Sequence, residues 1–120
     1  MEYQNLIHEM ILEHLKKELS KDYKDIGINK CGEKQNAYKG HYPNMILGSH
    51  GMTVALLEVE TEQSVSEEGA QRWKALSGLG AKLIVMVPKN KKVKATELIW
   101  DKGLAGKVSI GTYEIAIKMP

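Results

Sequence analysis

The chain contains no phenylalanine, a single cysteine and only three prolines among its 120 residues. Without Phe, the core must be filled by aliphatic side chains and Met. One thiol, Cys31, excludes an internal disulfide and suits a reducing compartment. No apolar run approaches the length of a membrane span. The fairly apolar first twelve residues are interrupted by Glu2, His8 and Glu9 and lack a basic leader, so neither a signal peptide nor a membrane partner is expected, and the location expected is cytoplasmic. Net charge is also scarce: 17 basic against 15 acidic residues give +2, which neither demands nor excludes a nucleic-acid partner.

What is present is an ordinary globular composition, 42% hydrophobic and 27% charged, in a length that fits residues 1–120 into one domain. From about Glu2 to Leu19 the apolar residues Leu6, Ile7, Met10, Ile11, Leu15 and Leu19 fall at helical spacing, with no Gly or Pro before Gly27. On that helix Glu9 lies almost opposite the apolar stripe and Glu13 near its polar flank, while Glu18 falls inside the stripe. Tyr23 to Lys30 predicts a first strand with Ile26 and Ile28 on one side. A long polar connection carrying His41 follows it.

Beyond the central stretch, Ser64 and Glu67 have the spacing of a capping box, predicting a helix that runs to about Ser77 with Ala70, Trp73, Leu76 and Ser77 inward. Gln71 and Lys74 lie together beside that face. Ala81 to Val87 is a continuous apolar run closed by Pro88, which predicts a strand buried on both faces and parallel to its predecessor. A helix from about Val93 to Lys102 and a strand from Val108 to Ile117, broken at Gly111, complete the order. Lys89, Lys91, Lys92 and Lys94 cluster at the start of that helix as a solvated surface or a phosphate contact. The expected fold class is α/β, a single mixed sheet flanked by helices.

The stretch from His41 to Ser64 organises the rest. It reads as a Pro-led turn, a short apolar run, a Gly-rich turn and an apolar strand that ends in acid. Along that strand Thr53, Ala55, Leu57 and Val59 share one side and Val54, Leu56, Glu58 and Glu60 the other. Two carboxylates therefore project together. Either the strand reaches solvent there, or the carboxylates need a cation such as a metal ion.

Pro43-Asn44 at the head of one strand and Glu58-Val59-Glu60 at the end of the next resemble the PD-(D/E)XK, or restriction-endonuclease-like, nuclease superfamily. Asn44 stands where that family has Asp, and Glu60 where it most often has Lys. The resemblance implies a restriction-endonuclease-like sheet and a metal-dependent DNA nuclease. It implies Mg²⁺ or Mn²⁺ held by Asn44, Glu58 and Glu60, with Glu9 brought in from the first helix and Lys74 supplying the missing cation. Cutting both strands of a duplex calls for two sites, so a homodimer is expected; a subunit of a larger complex is the other assembly considered. The alternative is a catalytically inactive nuclease-like module that binds nucleic acid or protein.

Overall fold

The computed structural model describes residues 3–30 and 32–115. Cys31 and the last two residues of the expected C-terminal strand, 116 and 117, lie outside them. A long helix, α1 (Tyr3–Leu19), is followed by three strands, β1 (Asp25–Ile28), β2 (Met45–Ser49) and β3 (Met52–Val59). Then come α2 (Glu67–Ser77), β4 (Lys82–Pro88), a 3₁₀ turn (Lys89–Lys91), α3 (Lys92–Asp101) and β5 (Val108–Tyr113). The five strands form one sheet in sequence order. β1, β2 and β3 run antiparallel, and β3, β4 and β5 run parallel. Among the described residues no helix is long and apolar enough to cross a membrane.

The alternation along β3 sorts the two faces. Leu56 joins Trp73, Leu76, Leu83, Val85 and Leu98 under α2 and α3. Ala55, Leu57 and Val59 join Met45, Leu47 and Leu12 under α1. The β2–β3 hairpin turns on His50 and Gly51, both with positive φ, the backbone that a two-residue hairpin with right-handed strand twist requires.

Three local expectations are corrected. Leu6 and Met10 are about half exposed, because α1 meets the sheet through His8, Leu12 and the Ile11–Leu15–Leu19 row, and these two lie about 160° around the helix from that face. Ser66, not Ser64, caps α2: its Oγ accepts from the Gly69 amide at 3.3 Å, while Ser64 Oγ accepts from the Thr61 amide at 2.8 Å and so shapes the preceding turn. In β4 only the Leu83–Val85–Val87 side is fully buried. Ile84 and Met86 face the α1 side, where cover is partial.

Candidate functional site

β2 and β3 pair so that Met45 stands opposite Leu57, which sets Asn44 beside Glu58 at one end of the sheet. The Asn44 amide N–H donates to Glu58 Oε2 at 2.6 Å. Its side chain is equally committed. Oδ1 accepts from the Val59 amide at 2.9 Å and contacts His8 Nε2 at 3.1 Å, while Nδ2 donates to the Asn29 carbonyl at 3.2 Å. Because the Val59 N–H fixes Oδ1 as an acceptor, His8 must donate through Nε2. Asn44 is thus a bracket tying β3, α1 and the end of β1 together.

Glu58 is 1% exposed, and the other oxygen of its carboxylate, Oε1, takes the Nε–H of Arg72 from α2. Arg72 also donates through Nη2 to the Tyr42 carbonyl at 3.0 Å. Burial works against the Arg72 charge, but the bond to Glu58 and the charges of Glu58 and Glu60 outweigh it and raise the Arg72 pKa. Glu60 is 6% exposed and lies under Ser64, Trp73 and the first turn of α2. Burial is the main cause that pushes its pKa up to about 7, and the Glu58 charge adds to it. The Trp73 indole N–H lies near this carboxyl but falls short of hydrogen-bond geometry, so it relieves little of that cost. Only glycine fits at position 69. A Cβ there would collide with the Ser64 carbonyl oxygen, and it would stand 3.8 Å from Glu60 Oε2, so the close approach of this turn brings it over Glu60.

These groups form the floor of an open cleft of about 550 Å³. Its rim carries Lys30, Glu33, Lys34 and His41 from the connection between β1 and β2, and Arg72 from α2; Lys30 Nζ also lies 3.7 Å from Glu13 Oε1. Asn29 organises that connection. It is 1% exposed and donates through Nδ2 to the carbonyls of Asn36 and Pro43 at 2.6 and 2.8 Å. Its Oδ1 accepts the amides of Gln35 and Asn36 at 2.9 and 2.7 Å.

The structure gathers Asn44, Glu58 and Glu60 as the motif suggests and leaves other expected members outside. The cation at the carboxylates is Arg72, not Lys74. Lys74 is two residues further along α2, about 200° around the helix, and is exposed away from the cleft. From α1 it is His8 rather than Glu9 that lines the cleft. Lys89, Lys91, Lys92 and Lys94 stand clear of it as well. They lie on the 3₁₀ turn and the first turn of α3, with Lys89 3.9 Å from Glu114.

Among the described residues no three His, Cys, Asp or Glu side chains converge as a cation site would require. The motif residues do not fit a divalent ion as they stand. Asn44 Oδ1 already has two partners, Glu58 is ion-paired, and burial raises the Glu60 pKa to about 7, which works against the anionic form a divalent ion needs.

Asn29, His8 and Arg72 were not legible as site residues in advance. Arg72 and Lys74 flank the inward Trp73 symmetrically, so periodicity offers both, and only the seating of α2 on the sheet chooses. Comparison with family models, with curated proteins and with solved structures finds no match.

Proposed function

We propose that this domain binds nucleic acid in the cleft without cutting it, on a nuclease-like scaffold whose motif positions are committed to bonds within the protein. One observation carries the reading. The acidic floor is closed by Arg72 and the Asn44 amide, while Lys30 and Lys34 stand on the rim beside the single carboxylate of Glu33, so the rim is net cationic. The resemblance at Pro43-Asn44 and Glu58-x-Glu60, and the order of helix, three antiparallel strands, helix and parallel strand, support the scaffold half of the proposal.

Fluorescence anisotropy with labelled single- and double-stranded oligonucleotides, in EDTA and in Mg²⁺ or Mn²⁺, tests it. Binding should persist in EDTA and no strand should be cut. Changing Lys30 and Lys34 together to Ala should lower the slope of log K against log salt by about 2, since each phosphate contact contributes about 0.9. The same slope change from Lys91→Ala with Lys94→Ala would move the binding face to that cluster. Metal-dependent cleavage would replace this reading with the nuclease one.

Asn44→Asp separates the two readings further. In an active nuclease site it restores an anionic ligand and tightens Mg²⁺ binding. In the bracket described here it removes the donor to the Asn29 carbonyl and sets a carboxylate oxygen against that carbonyl instead. It should therefore destabilise the fold by about 2 kcal/mol in urea denaturation, with no gain in a Mg²⁺ calorimetric titration.

A further inference from the structure

Arg72 is held from behind and left open in front. Its Nε–H goes to the buried Glu58 carboxylate and one Nη2–H goes to the Tyr42 carbonyl at 3.0 Å, so the side edge of the guanidinium is occupied and its plane is fixed. A guanidinium carries five N–H groups in a rigid fork. The three that remain, two on Nη1 and one on Nη2, meet no acceptor among the described residues, and the side chain is 47% exposed where it lines the cleft. They form the end edge of the fork, which can take two oxygens of a phosphate side by side.

Size and charge limit what can reach this edge. The cleft holds about 550 Å³, within the about 300–1,000 Å³ of sites that enclose one small molecule. A duplex, by contrast, presents two rows of phosphates and is gripped through many cations. Lys30, Lys34 and Arg72 are the lysines and arginines of this lining, Glu33 stands between the first two in the chain, and Lys30 is shared with Glu13 at 3.7 Å. That footprint serves one or two phosphates. Beside it lies a ring: half-buried Tyr42 lines the same cleft, with Lys34 Nζ 5.8 Å from its centroid. The carbonyl of this same Tyr42 holds Arg72, so one residue positions both ring and guanidinium. An aromatic face next to a cation is the combination that takes a base by its face and the adjoining phosphate by its oxygens.

We propose that the cleft takes one unpaired nucleotide of a single strand, its phosphate on the end edge of Arg72 and its base against Tyr42. The exposed Lys34 ammonium yields the ring to the base and meets a neighbouring phosphate instead. This rests on the nucleic-acid reading of the cleft and narrows it to unpaired strands.

Fluorescence anisotropy in EDTA with a labelled oligothymidylate, competed by a blunt-ended hairpin duplex or by thymidine monophosphate, tests it. The single strand should bind at least about 10-fold tighter than either competitor. Arg72→Lys keeps a cation on Glu58 but has no fork left for phosphate, and should weaken binding by about 10-fold with the circular dichroism of the parent retained. Arg72→Gln made with Glu58→Gln leaves no buried carboxylate unpaired. It should lower the slope of log K against log salt by about 0.7, the share of one phosphate contact on a single strand. Tyr42→Ala should weaken binding by about 5-fold or more. A duplex that binds as tightly as the single strand overturns the proposal and leaves the nucleic-acid reading standing. A monophosphate that competes equally overturns it in favour of a free nucleotide, and binding unchanged by both Arg72 variants overturns it by taking Arg72 off the phosphate. Failure to bind any of the three probes defeats the nucleic-acid reading itself, and this proposal with it.

Discussion

Replacing Asn29 by alanine should lower the stability of the domain by about 4 kcal/mol. Four hydrogen bonds end on its side chain, two to carbonyls and two from amides, and all lie at a residue that is 1% exposed. Each buried group left without its partner costs about 1–3 kcal/mol. The loop after β1 is exposed enough for water to recover part of that, which places the sum at the low end of the about 4–12 kcal/mol that four such groups span. Denaturation in urea checks it through the midpoint, and hydrogen exchange at the Gln35 and Asn36 amides locates the damage. A loss below about 1 kcal/mol would mean that the loop holds its shape by other contacts. The functional effect should be larger than the distance from Asn29 to the rim suggests, because Lys30, Lys34 and His41 all ride on this connection.

The second large effect concerns pH. Glu60 has its pKa raised from 4.5 to about 7, chiefly by burial. The folded protein therefore keeps a proton that the unfolded chain has already released. The stability contributed by this group is fully present below pH 4.5 and is lost as pH rises to about 7, at up to 1.36 kcal/mol per pH unit, about 3 kcal/mol in all. Glu60→Gln has the shape of the protonated acid and no charge to desolvate. It should match the parent near pH 4 and exceed its stability by about 3 kcal/mol near pH 8. Urea denaturation at intervals between these limits measures the difference, and a difference that stays flat with pH would show that Glu60 ionises as an ordinary surface carboxylate does.

The elements that carry their own periodicity were legible in the chain. The alternation through Met52–Val59 fixed which side of the sheet each residue takes, and the run before Pro88 marked a strand parallel to it. Helix faces were harder. On α1 the expected stripe takes in Leu6 and Met10 and leaves out Leu12, which is the residue fully buried; the helix is seated where His8 meets Asn44, a contact spanning 36 positions. Ser64 and Ser66 both have cap chemistry; the closer packing of Gly69 on the Ser64 carbonyl gives the cap to Ser66. Motif letters located Glu58 and Glu60 but not what satisfies them. Partners such as Asn29 and Arg72 are recruited from loops and helix flanks, where neither propensity nor period has a preference.

The hairpin at His50-Gly51 also has a kinetic meaning. β2 and β3 are joined by two residues, so their pairing closes a very short loop and needs no other part of the chain, whereas the parallel pairs β3–β4 and β4–β5 wait for whole crossover helices. Asn44 meets Glu58 as a direct result of that hairpin register. On loop closure alone the meeting point of the motif is expected to assemble first, with Arg72 joining it when α2 docks. A slip of one residue in this hairpin would turn Glu58 to the α1 side and Val59 to the cleft, exchanging the two faces along the whole of β3. The irregularity between Leu47 and Gly48, where a Cβ on Gly48 would press within 2.7 Å of the Met52 carbonyl oxygen, marks a position at which the register is held by shape. Accuracy at the cleft is in this sense set from the far end of the strands, by a turn whose register carries through to Asn44 and Glu58.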